Sequence, residues 1–493
     1  MIISDAIISL VWKVFLLVLP ISSFTLLSKV LGGTNVAPLA MVPMLIIIIL
    51  SWIPDFFKNG RKLPYQTKPL ALFFLFGILT TLLIPLRNVP TFQGISLHKT
   101  IIDVVASFGV GVGFYFVTIH TIGNERQLRS TLYWISIAGI VMMAYSWIQV
   151  IAWYGLGHYP DWLYQIQTIL SSNGVLFPRR ATGPAFEPSW LAHALNMIYI
   201  PVWLGLSLKK KSVFEKRLFN KIQVEILLSI LAVLTLFISF SRIGWITFIF
   251  LVAYIVTRQI NKLINKFIRT SDKLNRSKPR ILFYRLGVWI GVCLILIIVL
   301  LIAGFVLTKI DPRMVHFFDV EALRDKGFMR WASKLVFLER VMYWIAGYRV
   351  YERFPFLGAG FGMPGYFFQS TVPVYGSQLL DINDFMLKPF FLPNTKNLWV
   401  RLLSETGIIG FALFISWLIV HWRNAAELET SENKELSEAM GLIGKLILIA
   451  LLFEGFSLDT FGLPYYWVGL GLIVAAWRVR FAAPILGSPQ KSD

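Results

Sequence analysis

Long apolar runs alternate with short polar connections along most of the chain. A helix needs about 20 predominantly apolar residues to cross a bilayer, so the pattern predicts about twelve transmembrane helices. The predicted spans are 6–27, 38–53, 70–86, 101–117, 131–153, 190–208, 224–239, 243–256, 286–307, 398–420, 441–453 and 463–477. We therefore expect an all-α polytopic integral membrane protein, with residues 1–493 forming a single membrane domain.

The basic residues predict the orientation of these spans. Lys and Arg concentrate in 58–68, 126–129, 209–221, 258–285 and 478–480. All of these stretches follow even-numbered spans, and cytoplasmic loops carry an excess of Lys and Arg. The pattern therefore predicts that both termini are cytoplasmic and that the N-terminal apolar run is retained as the first span.

The connection between the ninth and tenth spans, residues 309–397, is by far the longest and would be extracytoplasmic. Apolar residues recur in it at helical spacing near 335–351, which predicts an amphipathic helix at the membrane surface.

Composition supports the membrane assignment and narrows the partners. The chain is 56% hydrophobic and 15% charged, with a formal net charge of +20. Because the positive charge lies mainly in the predicted cytoplasmic loops, it indicates membrane orientation and no nucleic-acid partner. The single cysteine, Cys293, excludes an intramolecular disulfide and a cysteine-based metal site.

Three separate outward segments carry arginine, although outward loops are normally poor in it. They contribute Arg179 with Arg180, then Arg242, then Arg340 with Arg349. A guanidinium matches phosphate oxygens two at a time and keeps its charge when desolvated. Convergence of several such groups would suit the diphosphate of a lipid-linked substrate, whereas isolated arginines would only reach to the headgroups.

Two carboxylates accompany the arginines. Glu187 precedes Pro188 at the start of the sixth span, where it would cap the helix, orient an arginine or accept a proton. Glu405 follows Asn397 by two turns in the tenth span, and it would either bind substrate or pair with Arg401.

The remaining polar motifs favour structural roles. Gly358, Gly360 and Gly362 lack the flanking strand and helix of a nucleotide-binding loop, so a tight turn is the better interpretation. The stretch 381–384 has two carboxylates, which favours a solvated loop over a cation site. We predict no metal and no cofactor.

These segments together resemble the O-antigen polymerase and ligase superfamily, bacterial polytopic glycosyltransferases with a GT-C type of membrane fold. The resemblance covers about residues 175–420. The motifs that carry it are Arg180-Ala-Thr-Gly183 through Glu187-Pro188, Ser241-Arg242, Arg340 with Gly358-Ala-Gly360, and Asn397-Leu398 through Glu405-Thr-Gly407.

The resemblance implies glycan transfer on the outer face of the bacterial inner membrane. The donor and the acceptor would both be glycans linked to undecaprenyl diphosphate, and a chain-length regulator and a flippase would be possible partners. We expect metal-independent inverting transfer, with catalytic roles for Glu187, Arg180, Arg242 and Arg340. The expected substrate-binding residues are Arg179, Gly183, Ser241, Trp344, Arg349, Asn397 and Glu405.

One departure from the family pattern decides between its two activities. Ligases of this superfamily typically have a His-Asn pair where this chain has Lys396-Asn397. The missing histidine favours a polymerase, with a ligase as the alternative. A flippase or other transporter is a third hypothesis, and it is disfavoured because transporters place charged residues near the bilayer midplane whereas these arginines lie at one surface.

Overall fold

The computed structural model describes residues 5–60, 63–214, 222–272, 337–374, 392–431 and 436–481, with isolated positions between them. This part of the chain is mainly helical, and its β-pairing includes two isolated bridges at Ser23. The helices are α1 Asp5–Leu17, α2 Thr25–Val30, α3 Met41–Ile47, α4 Ile53–Asn59, α5 Lys68–Leu82, α6 Leu97–Thr121, α7 Glu125–Leu156, α8 Asp161–Leu170, α9 Pro188–Ala194, α10 Ile200–Leu208, α11 Val224–Ile238, α12 Arg242–Asp272, α13 Leu338–Arg353, α14 Phe368–Thr371, α15 Leu398–Thr430, α16 Ser437–Glu454 and α17 Pro464–Phe481.

Six helical segments of the described residues are long and apolar enough to cross a membrane. They are Met41–Lys58, Leu97–Thr121, Glu125–Leu156, Pro188–Leu208, Arg242–Lys266 and Leu398–Thr430. The prediction of an all-α membrane protein is therefore confirmed.

The predicted number of about twelve spans is not supported. The predicted first span breaks where α1 ends at Leu17, after 13 residues, and α11 has 15 residues. At about 1.5 Å per residue these helices reach roughly 20 Å, short of a hydrocarbon core about 30 Å thick. The ninth predicted span, 286–307, lies outside the described residues apart from two isolated positions, and Cys293 lies outside them as well.

The last two helices form the centre of the fold. Residues 464–476 of α17 are all buried, and α17 packs against α16 and α6. Close packing depends on small residues in these helices, since a Cβ added to Gly471 would lie 2.8 Å from the Thr118 side chain of α6. Small residues allow helix backbones to approach closely in membrane proteins.

The predicted sixth span contains a π turn. Helix α9 passes into a π-helical turn at Leu195–Tyr199 before continuing as α10. Such turns break the regular helical register and often occur at functional sites. Here the turn contains Asn196, which is fully buried.

Helix α15 is interrupted by Gly407, where the backbone has φ +63° and ψ −169°. The Gly358–Gly362 loop fills the interruption: Ala359 N donates to Ser404 O at 2.7 Å, and Gly360 N donates to Glu405 O at 2.9 Å. The Gly358–Gly362 loop is therefore a close-packed turn against a broken helix. This is the tight turn that the sequence favoured over a nucleotide-binding loop.

Gly358 gives a test of this packing. Its φ is +67°, and an added Cβ would lie 2.3 Å from the carbonyl carbon of Glu405. We expect Gly358→Ala to lower the free energy of unfolding by about 2–4 kcal/mol, because strain and overpacking add. Thermal unfolding of the purified protein in detergent measures the effect. Gly155→Ala in α7 is the control, since no atom lies within 4 Å of the added Cβ; equal melting temperatures for the two variants would contradict the prediction.

Candidate functional site

The segment 179–183 is held in place by a buried glutamine of α7. The Gln149 side-chain oxygen accepts from Thr182 N and Gly183 N, both at 2.9 Å, and its Nε2 donates to Gly183 O at 3.1 Å. Gly183 has φ +60°, and a Cβ there would lie 2.8 Å from Ser146 Oγ. Gly183 is therefore required by the turn, and its predicted contact with substrate remains a prediction.

The first two arginine-bearing segments lie against each other. Ala181 N donates to Ile238 O at 2.9 Å. Arg180 Nε donates to Ser239 O at 3.2 Å, and its Nη2 donates to Phe240 O at 3.4 Å. The structure thus joins Arg180 to the turn that leads directly into Arg242, the first residue of α12.

Ser241 and Arg179 have different surroundings in this region. Ser241 is buried, and its Oγ accepts from Gly244 N at 3.4 Å, so it begins α12 as a helix cap. Arg179 is exposed in a left-handed turn with φ +64°. Ser241 therefore has a structural role in the described contacts, whereas the Arg179 side chain lies at the surface.

The third arginine-bearing segment rests on the connector between α16 and α17, residues 455–463. Arg340 Nη1 donates to Ser457 Oγ at 2.6 Å. One helical turn later, the Trp344 ring lies 6.0 Å from the Phe456 ring. Arg340 and Trp344 therefore share one face of α13 and contact the same short connector.

Arg349 lies elsewhere on α13. It follows Arg340 by nine residues, which at about 3.6 residues per turn places it on the opposite face of the helix. Its Nη1 donates to Thr371 O at 2.9 Å, which fastens α13 to α14. The structure does not bring Arg349 together with the other predicted arginines.

A buried carboxylate connects the three segments. Glu454 ends α16; its Oε2 lies 2.7 Å from His193 Nδ1, and its Oε1 accepts from Asn196 Nδ2 at 2.6 Å. Asn196 Nδ2 also donates to Gly244 O at 2.9 Å, two residues after Arg242. The first turn of α12, which begins with Arg242, is thus linked to Arg340 through contacts that pass through Asn196, Glu454 and Ser457.

Glu187 lies at the N-terminus of α9 without capping it through its side chain. Its Oε1 accepts a short hydrogen bond from the Ser189 hydroxyl. Among the described residues it forms no ion pair with an arginine, so neither the capping nor the arginine-orienting role is seen. The role as a proton acceptor stays a prediction.

Asn397 and Glu405 have structural partners. Asn397 is buried and caps α15, its side-chain oxygen accepting from Trp399 N at 2.9 Å. Glu405 Oε1 accepts from Arg401 Nε at 2.9 Å and from Gly362 N at 3.1 Å. The structure thus contains the intrahelical ion pair that the sequence left as one of two alternatives for Glu405. Its Oε2 is buried and has no hydrogen-bond partner among the described residues.

Asp459, in the connector, was missed in the sequence reasoning. Burial raises the pKa of its carboxyl group above the ordinary value, and this effect is opposed by Arg401, Arg340, Lys396 and a hydrogen bond from Asn394. The signal in the sequence was available, because Glu454 and Asp459 are acids at the edge of an apolar span.

Lys396 stands beside this carboxylate. It has a left-handed backbone with φ +48°, and its Nζ lies 4.2 Å from the centre of the Tyr343 ring. A cation over an aromatic face is stabilised by the ring. The lysine at the family's histidine position therefore lies near Asp459 and Arg340.

Within the described residues, no group of three or more His, Cys, Asp or Glu side chains is arranged to hold a metal ion. The alternative cation site at 381–384 lies outside the described residues apart from the isolated Ile382.

Comparison with known families agrees with the sequence motifs. The family model described as O-antigen ligase (Wzy_C) matches residues 227–415. A search among curated proteins found no match to this chain. The resemblance to the O-antigen polymerase and ligase superfamily is thereby confirmed over the matched residues, which contain Arg242, Arg340, Asn397 and Glu405.

The raised pKa of Asp459 predicts a dependence of stability on pH. A carboxyl group whose pKa is higher in the folded chain stabilises the fold while it is protonated, and that contribution is lost as pH rises through the raised pKa. Asp459→Asn removes the titration and keeps the shape of the side chain. From about pH 4 upward, we therefore expect the melting temperature of the wild type to fall relative to that of Asp459→Asn.

Melting temperatures across the pH range in detergent measure this difference. Asp161→Asn, at an exposed position in α8, controls for the loss of one negative charge. If the melting temperatures of the wild type and Asp459→Asn changed in parallel with pH, the environment of Asp459 would not raise its pKa.

Proposed function

We propose that this chain, an O-antigen polymerase/ligase-type membrane protein, polymerises oligosaccharide repeat units linked to undecaprenyl diphosphate into a surface polysaccharide. Transfer would occur on the outer face of the bacterial inner membrane. The observation that carries the proposal is that the three distant segments bearing Arg180, Arg242 and Arg340 are joined by one set of contacts, which involve Ser239, Gly244 and Ser457. Membrane-spanning helices and the family match support the same class of function.

The proposal includes the finer topology that the hydropathy pattern predicts. Twelve spans with both termini in the cytoplasm place the segments with Arg180, Arg242 and Arg340 on the outer side, where the loop 309–397 would cover them. The contacts among these segments support a common side. Arg180 donates to the carbonyl of Phe240, two residues before Arg242. Asn196 and Glu454 connect the first turn of α12 to Ser457, which contacts Arg340.

The arginines would act on the leaving group. When the bond between the anomeric carbon and the diphosphate breaks, the electron pair goes to the diphosphate oxygen and its negative charge increases. Fixed guanidinium groups stabilise that charge in the transition state more than in the ground state. Arg180 is already oriented by the carbonyls of Ser239 and Phe240, so little reorganisation would be needed.

The acceptor hydroxyl would attack from the opposite face of the sugar and invert the anomeric centre. Its oxygen forms the new glycosidic bond, and its proton passes to a carboxylate. Glu187 is the base predicted from the sequence, and Asp459 is a second candidate because a raised pKa brings a carboxylate closer to the working pH of a base. The reaction needs no metal ion, and the half-buried Trp344 offers an aromatic surface for a sugar ring.

Ligation is the alternative activity, and one observation favours it. Lys396 occupies the family's histidine position and lies near both Asp459 and Arg340. It could orient an acceptor hydroxyl, although a lysine is a strong base only when it is neutral. The absence of histidine keeps polymerisation as the first proposal.

Deletion of the gene distinguishes the two activities. Loss of a polymerase leaves surface glycan with single repeat units, whereas loss of a ligase leaves long polymer attached to the lipid carrier. We expect the first pattern on gel electrophoresis of the surface glycan and of the lipid-linked fraction. Accumulated lipid-linked polymer in the deletion strain would contradict the polymerase proposal and favour the ligase.

Complementation tests the arginines. We expect Arg180→Ala, Arg242→Ala and Arg340→Ala each to reduce long polymer at least about 100-fold, since removal of one transition-state donor costs about 10²–10³ in rate. Arg→Lys variants at these positions should restore little of the long polymer, because lysine lacks the guanidinium fork.

Arg349→Ala is the matched control for Arg340→Ala. It lies on the same helix, is exposed, and faces away from the connector. We expect it to support wild-type chain lengths at equal protein levels on immunoblots. Wild-type polymer from all three site variants would overturn the assigned roles.

A further inference from the structure

A fully buried polar cluster lies directly beneath the proposed site. It consists of His193, Asn196 and Glu454, whose side chains are 1%, 0% and 0% exposed. His193 and Asn196 bind the two carboxylate oxygens at 2.7 and 2.6 Å. Burying a carboxylate is costly unless it is hydrogen-bonded, so this cluster is a strong constraint on the helices that form it.

The π turn brings the two partners onto one carboxylate. His193 is the penultimate residue of α9, and Asn196 lies in the π turn Leu195–Tyr199 that follows the helix. The turn breaks the α-helical hydrogen-bonding pattern at this point, which changes the direction in which Asn196 projects. Asn196 thereby reaches Glu454 with the same Nδ2 atom that contacts Gly244 O at 2.9 Å.

The backbone of Glu454 extends the cluster to the connector. Glu454 O accepts from Ser457 N and Leu458 N, both at 2.9 Å. Ser457 Oγ accepts from Arg340 at 2.6 Å. In the other direction, Asn196 holds the first turn of α12, which begins with Arg242.

We propose that His193, Asn196 and Glu454 are positioning residues that set the separation of Arg242 and Arg340. The proposal rests on the proposed function, since it assigns the cluster to the site that binds the diphosphate. Directional hydrogen bonds fix the register of α9, α12 and α16, whereas apolar contacts in the same place would allow the helices to slide. The cluster does not touch the substrate and acts only through the two arginines.

The test compares two replacements of His193. His193→Leu fills the space and removes the hydrogen bond to Glu454. His193→Asn keeps a donor, because the asparagine Nδ2 can take the place of the imidazole Nδ1. Purified variants in proteoliposomes would receive lipid-linked repeat units extracted from the strain that lacks the gene, and initial rates would be measured against substrate concentration.

We expect His193→Leu to lower kcat about 100-fold while the donor KM changes less than about 3-fold, because a displacement near 1 Å can cost that much in rate. His193→Asn should recover kcat to within about 5-fold of the wild type, since it restores the bond. Recovery by the conservative variant separates positioning from a general loss of stability.

His421→Leu is the matched control. His421 is a fully buried histidine of α15 whose Nε2 lies 3.1 Å from the Tyr115 hydroxyl. It follows Glu405 by sixteen residues, or about 24 Å along the helix. We expect His421→Leu to lower the melting temperature as His193→Leu does, while its kcat stays within about 3-fold of the wild-type value.

Each outcome decides the proposal. If His193→Leu keeps wild-type kcat while the arginine variants are inactive, the positioning role is wrong and the proposed function stands. If Arg180→Ala, Arg242→Ala and Arg340→Ala are also active, the result contradicts the proposed function itself. If His193→Leu does not fold, Glu454→Gln replaces it, since weaker neutral hydrogen bonds should still lower kcat about 10-fold; unchanged kcat in that variant would overturn the proposal.

Discussion

The burial of the Glu454 carboxylate is the interaction on which the arrangement of the site depends. Burying a carboxylate between helices is costly unless its oxygens are hydrogen-bonded, and the partners here come from α9 and its π turn. Satisfying them fixes where α16 ends and therefore where the connector begins. The connector in turn receives Arg340 and supplies the carbonyl of Gly455 to Leu398 N at 2.8 Å. One buried charge thus determines how four helices meet at the proposed site.

The glycines have a complementary role, because they allow backbone to reach backbone where side chains would interfere. Gly358 and Gly407 both have positive φ and lie in contact across the break in α15. The loop that docks there donates to the carbonyls freed by the break, as membrane-embedded irregular backbone requires. Gly362 N also reaches Glu405, so the break and the Arg401 ion pair stabilise the same end of the helix.

Sequence patterns predicted helices better than they predicted spans. Helices overlap every predicted span in the described residues, because apolar runs favour helix in either lipid or protein. The count of twelve is not supported where helices in the described residues end early, as α1 does at Leu17, three residues before Pro20. The Arg180 and Arg242 segments were expected on one side, and the structure joins them. Glu454 escaped notice because its partner His193 is 261 residues away in sequence.

The surroundings of Asp459 bear on how a site rich in arginine can still hold a base. Positive charges lower the pKa of a carboxylate and weaken it as a base. At Asp459 burial outweighs Arg401, Arg340 and Lys396, so its pKa is raised despite them. The same connector can therefore place a guanidinium for the leaving diphosphate and a carboxylate for the attacking hydroxyl. Because Ser457, which contacts the Arg340 guanidinium, and Asp459 are separated by only one residue, moving the connector would disturb both halves of the reaction together.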